Sequence, residues 1–279
     1  MKKGLLIGLI VLALIILFVV ITRASSGPMA TLLINKGTVQ VDKGLGWTDA
    51  TNGMIMKEGY KVQTLAGSRA TVVFMESTVI RLNENTEITL KNINKTSVSL
   101  IQQIGQTWTK MLKMSGISDY EIETPDAVAT VRGTAFAVTV QNGTSEIGVS
   151  EGVVKTDSYK IENGVHQIVA SLDVGANRSL EVSSDNLGTL ETKPLQMDSW
   201  IEENNQADQD YLKLLKQQLL QKYSTRISIA RTLVQISDED MNNFVNDFVE
   251  GRLSIKEKLA NGDIPSIISP LIPEELKRY

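Results

Sequence analysis

The sequence predicts a mainly β protein with an N-terminal transmembrane helix and a C-terminal α-helical region, and three observations carry that division. Gly4 to Thr22 is an almost unbroken apolar run without charge. From about residue 30 to 185, short alternating runs rich in Val, Ile and Thr are separated by clusters of Gly, Asn, Asp and Ser. From Pro194 onward the apolar residues recur at helical spacing instead. The expected organisation is an anchor over residues 1–23, a spacer over 24–30, a β domain over 31–185 and a helical region over 194–279.

At 1.5 Å rise per residue the first run would span about 28 Å, close to the ~30 Å hydrocarbon core of a bilayer. Lys2, Lys3 and the initiating amine precede it and only Arg23 lies close behind. That bias places the N-terminus in the cytoplasm and the main body outside, as a single-pass protein of the cell membrane. The apolar core exceeds the ~7–15 residues of a signal peptide, and Thr22-Arg23-Ala24 is a poor small-x-small cleavage site, so the anchor is expected to stay uncleaved. Ser25-Ser26-Gly27-Pro28 reads as a flexible spacer.

In the middle region Ala70, Val72 and Phe74 share one parity, as do Ile80 with Leu82 and Ile88 with Leu90. Turn signals at Glu76-Ser77, Asn83-Glu84-Asn85 and Asn92-Ile93-Asn94 place a strand every ~8 to 10 residues. Such regularity fits a solenoid or a sandwich. Asn142-Gly143 marks a hairpin, because Asn-Gly supplies the positive φ values of a type I′ turn. Ser179 to Ser183 reads as the last strand. Trp47 and Trp108 have two readings: exposed stacking platforms for a sugar polymer, or tryptophans packed in the core and turns.

Composition excludes several chemistries. A formal charge of −4 gives no basic footprint, so nucleic acid is not an expected partner. The absence of cysteine removes disulfides, thiolate metal sites and a cysteine nucleophile. The single histidine, His166, follows a turn at Asn163-Gly164 and is expected at an exposed or edge strand position. With one His and no Cys the usual zinc ligands are missing, and Asp238-Glu239-Asp240 lacks the order of a calcium loop, so no metal and no cofactor are expected. No paired carboxylates stand at a recognisable catalytic spacing and no Gly-x-Ser-x-Gly occurs, so no catalytic residue is assigned and the chain is not expected to be an enzyme.

The stretch from Thr124 to Val138 carries the most information. Ala129 and Val131 share one strand face, while Phe136, Val138 and Val140 have the opposite parity, so the register slips at Gly133. A bulge there would let both apolar sets face one interior. Arg132, alone charged in an apolar run, reads as a guanidinium tying down carbonyls or Asp126, or else as an anion or partner contact.

Thr124, Pro125, Ala127, Val128, Ala129, Val131, Arg132, Gly133, Thr134 and Phe136 closely match the TP-x-AVA-x-VRGT-x-F signature, and the segment resembles FecR-like domains, the extracytoplasmic modules typified by the ferric citrate transport regulator. Gly37, Val39, Val41, Trp47, Gly53, Glu58-Gly59, Val62, Thr64, Ser68, Ala70 and Phe74 fall where such domains carry their opening motifs. Gly105 with Trp108, and Val149 with Glu151-Gly152 and Val154, match later ones. Met75-Glu76-Ser77-Thr78 departs from the family's Asp-Gly-Ser turn. The resemblance implies a β-solenoid or elongated β domain, mostly structural roles for the motif, and a sensor or relay that touches another envelope or surface protein. Known members carry a cytoplasmic helical anti-sigma segment before the membrane helix; here only Met1, Lys2 and Lys3 stand there, so an inward signal is expected to need a membrane partner.

In the last third, Leu212, Leu215 and Leu219 lie on one helical face. Met241, Phe244, Val245, Phe248, Val249 and Arg252 form an i, i+3, i+4, i+7, i+8 stripe behind Ser237 as N-cap, with three acidic residues at the positive helix end. Ser254-x-x-Glu257 resembles a capping box. These helices pack against one another or offer Phe244 and Phe248 to a partner. Asn94, Asn142 and Asn177 stand in N-glycosylation patterns that also arise by chance in an Asn-rich chain.

Overall fold

The computed structural model describes residues 30–75, 78–112, 117–131, 133–235, 237–267, 269–273 and 276. The expected anchor, the spacer before Ala30, the turn at Glu76-Ser77 and Arg132 lie outside them. Among the described residues no helix is long and apolar enough to cross a membrane.

The strands alternate in burial with the two-residue period that the sequence shows, and they form two facing sheets. The first contains, in spatial order, β4 (Met54–Ile55), β1 (Ala30–Lys36), β6 (Arg69–Phe74), β7 (Thr78–Leu82), part of β9 (Ser97–Met111), β12 (Ala135–Gln141), β13 (Thr144–Glu151), β16 (Arg178–Ser183) and β17 (Thr192–Pro194). The second contains β3 (Trp47–Asp49), β2 (Val39–Asp42), β5 (Lys61–Thr64), β8 (Glu87–Ile93), the rest of β9, β10 (Asp119–Glu123), β11 (Ala127–Val131), β14 (Val153–Glu162) and β15 (Val165–Gly175). Pairing is antiparallel except between β9 and β10. Each sheet therefore extends in one direction as the chain proceeds, hairpins such as β6–β7 and β12–β13 alternating with crossings to the other sheet that separate pairs such as β5–β8 and β13–β16. Periodicity left a solenoid and a sandwich open, and the described strands form a mainly β body of two facing sheets joined by β9. Strands run to Pro194, past the expected end at residue 185, because β17 adds to β16.

Leu32, Val72, Ile80, Phe136, Ile147 and Leu180 from the first sheet meet Val41, Val62, Leu90, Leu100, Ile122, Val154 and Val174 from the second in one buried cluster. Face-to-face packing of two apolar sheet faces is the ordinary way to bury such alternating strands.

β9 joins the sheets. Its first half pairs with β8 and β10, and from Gly105 onward it pairs with β7 and β12. The switch depends on Gly105, which has φ +92°, and a Cβ there would lie 2.4 Å from the Thr86 Cα. A residue with a side chain meets both a strained backbone and a wall.

The helices follow as α1 (Ser199–Lys222), α2 (Ser224–Val234), α3 (Asp238–Val249) and α4 (Ile255–Ala260), with a 3-10 turn at Ser269–Leu271. Asp198 caps α1 by accepting from the Ile201 N–H, Ser237 caps α3 through the Asp240 N–H, and Ser254 caps α4 through the Glu257 N–H. The start of α1 lies on the outer face of the first sheet, where Trp200 and Ile201 bury Trp108, Ala135 and Ala137. β12 is thus covered on both sides, which explains its continuous apolar sequence. Leu212, Leu215 and Leu219 of the later turns of α1 pack with Met241, Phe244, Val245, Phe248 and Val249 of α3, as the stripe predicts.

Gly105→Ala is expected to destabilise the protein by about 3 kcal/mol, because backbone strain and overlap act together. Gly164→Ala, also at positive φ but with open space around it, is expected to cost only about 1 kcal/mol. Urea unfolding of the two variants beside the parent checks the ranking; equal losses would show that β9 does not need this corner.

Candidate functional site

The signature residues form a structural corner. Thr124 closes the turn between β10 and β11, its hydroxyl accepting from the Ala127 N–H and donating to the Ala127 carbonyl at 3.0 Å each. Pro125 is exposed at the turn, Val128 is half-buried, and Ala127, Ala129 and Val131 point into the core. At Gly133, φ +65°, the chain leaves the second sheet and begins β12 in the first. The register slip is therefore a crossing between sheets and not the expected bulge. A bulge would keep both halves in one sheet; here each half faces the same interior from opposite sides. Thr134 is buried, and Phe136 packs edge-on against Tyr120 with ring centroids 6.4 Å apart.

Titratable groups gather beside this corner. The Tyr159 hydroxyl donates to the Thr124 carbonyl, and its N–H donates to the Asp126 carbonyl at 3.1 Å. Burial, assisted by the Glu123 and Asp126 carboxylates, pushes the Tyr159 phenol up to about 12. Burial also raises the Asp126 carboxyl above the usual aspartate range. His166 stacks on Tyr159 at 4.1 Å, with Nε2 3.8 Å from Glu123, whose other oxygen accepts from Lys91 at 2.7 Å. That hydrogen bond holds the Lys91 ammonium above its ordinary value. His166 is on β15, at an edge as expected. The arrangement braces a hairpin and presents no nucleophile with a base. Among the described residues no group of three or more His, Asp or Glu is placed to hold a metal ion.

The two tryptophans separate. Trp47 sits on the short edge strand β3, about one-third exposed. Trp108 is fully buried under α1, so the structure removes it from the candidate surface contacts. Its indole N–H donates to Asp208 Oδ2 at 2.9 Å.

Phe244 and Phe248 lie between α1, α2 and α3, lining a cavity of about 420 Å³ with Leu219, Ile227, Val245 and Ile272. Phe248 is buried and Phe244 half-buried. The exposed Arg226 and Asp240 also border the cavity. Its volume falls in the range of ligand pockets, and its walls are almost wholly apolar. The amphipathic faces thus pack together, as the first reading of the stripe expects, and leave a hollow between them.

Sequence reasoning missed a polar latch. Asp208 of α1 accepts from Arg81 of β7 at 2.5 Å and from Trp108 of β9, with its side chain only 3% exposed. Asn204, one turn earlier, donates to the Trp200 carbonyl and receives Arg81 at 3.5 Å. Arg69 pairs with Glu203 at 2.7 Å and lies over the Trp200 ring at 5.0 Å. Trp200, Asn204 and Asp208 recur every four residues on one helical face, a signal that an apolar-only count overlooks.

Asp208→Ala leaves Arg81 and the indole N–H half-buried or buried without this acceptor, and is expected to cost about 3–5 kcal/mol. Thermal unfolding, together with faster proteolysis of α1, checks it. Asp126→Asn tests the corner. A raised native pKa means that the ionised form is disfavoured on folding, so wild-type stability falls as pH rises through that value. The variant is expected to match the parent in acid and to unfold at a higher temperature as pH climbs above the aspartate range.

Three comparisons bear on this arrangement. The family model described as FecR protein matches residues 60–155, which run from just before β5 into β14 and contain the whole corner. No curated protein matches the chain. Two crystal structures of a "putative anti-sigma factor" from Parabacteroides distasonis are similar at 18% and 17% identity, with TM-scores of 0.39 and 0.40. Each match covers 49% of this chain and 60% of the other, so the chain spans about three fifths of the length of those proteins. The central part of this chain, residues 60–155, is a FecR domain.

Proposed function

We propose that this chain is a membrane-anchored, extracytoplasmic and non-catalytic module that senses or relays a signal at the cell envelope by contact with another envelope or surface protein. The FecR domain over residues 60–155 carries this reading. Thr124, Ala127, Ala129, Val131 and Phe136 of its signature are committed to hydrogen bonds and packing within the corner, which supports the reading of the domain as a rigid, non-catalytic support. The charge bias around Gly4 to Thr22 supports the topology, with the N-terminus in the cytoplasm and one span through the membrane. The polymer-binding alternative retains Trp47 but has lost Trp108 to the core.

The helices supply the second half of the proposal. The latch on α1 ties the helical region to the β body, so a partner seated at Phe244 and Phe248 would act on a part that cannot swing independently of the corner. An apolar hollow bordered by charged residues suits a short amphipathic segment of such a partner.

Because the chain contains no cysteine, a single Ser184→Cys variant reports topology. The residue is exposed in the loop after β16. A membrane-impermeant maleimide is expected to label it on intact cells; labelling only after lysis would sink the extracytoplasmic assignment. A photo-crosslinking residue at Phe244 is expected to capture one envelope protein reproducibly from those cells, while the same probe at Ser184 does not.

A further inference from the structure

Sheets in monomeric proteins generally blunt their edges, because a bare row of N–H and C=O groups templates pairing with another chain. Among the described residues three of the four edge strands follow that rule: β3 and β17 have three residues each and β4 has two. The fourth, β15, has eleven residues and pairs only with β14 among the described strands. From Val165 to Leu172 it carries no acidic, lysine, arginine or proline residue. Val165 is 61% exposed, Ile168 63% and Val169 40%, and Ile161 on the neighbouring strand is 61% exposed. From Val165 to Leu172 this is an uncharged, largely apolar edge, and no described strand pairs with its outer side.

The backbone says what kind of occupant it takes. Glu162 and Val165 flank the two-residue turn Asn163-Gly164, both at positive φ, and so form a hydrogen-bonded pair. Bonded and non-bonded pairs alternate along an antiparallel ladder, so His166 and Ile168 direct their N–H and C=O groups away from β14. A lipid or an apolar small molecule cannot satisfy those groups; an extended peptide can.

We infer that β15 pairs antiparallel with β15 of a second copy of this chain, about a two-fold axis at Gln167, joining two second sheets into one. That register sets His166 of each copy opposite Ile168 of the other, and Val165 opposite Val169. The four outward-facing backbone groups on each side find partners, the exposed apolar side chains cover one another, and no like charges meet. Self-pairing fits because the uncharged, β-branched strand that this edge calls for is the one the edge itself provides. An isologous contact of this kind closes at two copies. The pairing is independent of the envelope partner proposed above and stands or falls without it.

The test uses the full-length chain in detergent micelles with Gln167→Cys as its only thiol. Facing residues at a non-hydrogen-bonded antiparallel position lie about 4.5 Å apart, within disulfide reach. Mild oxidation is expected to give a covalent dimer, whereas Val153→Cys, exposed on the inner strand β14, stays monomeric. Adding Ile168→Lys to the Gln167→Cys chain is expected to slow dimer formation by about tenfold without lowering its unfolding temperature, since the residue is exposed and a lysine on an edge strand opposes pairing with another chain. Equal cross-linking of the two single variants, or insensitivity to Ile168→Lys, would overturn the pairing. So would capture of a different protein at Gln167→Cys in intact cells in place of a second copy.

Discussion

The relation between the β body and the helical region rests on the Asp208 carboxylate. It is taken out of water against the outer face of the first sheet, and each of its oxygens meets a donor from a different strand, Arg81 on β7 and Trp108 on β9. Burying a carboxylate is costly unless its hydrogen bonds are made, so the helix has one seat where all three groups are satisfied and no neighbouring register that satisfies them. Apolar contact between Trp200, Ala135 and Ala137 supplies attraction without that selectivity. Because α1 runs on for twenty-four residues as one helix, fixing it at Asp208 also orients Leu212, Leu215 and Leu219, on which α3 packs.

The sheet beneath is constrained in turn by β9. The same strand that offers Trp108 to Asp208 passes through Gly105 into the second sheet, where its first half pairs with β10 beside the corner. The contacts form one continuous path of strand pairing and hydrogen bonds: corner, β10, β9, Trp108, Asp208, α1. A displacement at the corner therefore has a mechanical route to the helices, provided that an element along it has two stable arrangements. The charged and aromatic cluster of Lys91, Glu123, Tyr159 and His166 lies at one end of that route and the helical cavity at the other.

Local chemistry was legible in the sequence and long-range pairing was not. The Asn142-Gly143 turn, the Ser237 and Ser254 caps and the α3 stripe each depend on residues within one or two turns of each other, and all appear where the pattern puts them. The mixed parity around Gly133 revealed that both apolar sets share an interior, but a bulge and a crossing leave the same trace in a one-dimensional pattern. Only the partners of each half, β10 and β14 against β9 and β13, tell them apart. Asp208 escaped notice for a different reason: a buried carboxylate looks like a solvated one until its donors, more than a hundred positions away, are brought to it.

The placement of the signature explains why recognising the family said so little about a ligand. Thr124, Ala127, Ala129, Gly133, Thr134 and Phe136 are buried or turned inward, holding the crossing between the sheets. A match through such residues reports an architecture, because any chain that must make this crossing needs small side chains, a permissive glycine and an aromatic filler at these places. Specificity must reside on surfaces that the crossing leaves unconstrained. In this molecule those are the unprotected strand β15 and the apolar hollow between α1, α2 and α3, one built to satisfy backbone groups and the other to bury side chains. Their chemistry differs, so the second copy proposed at the strand and the envelope protein proposed at the hollow would not compete for one surface.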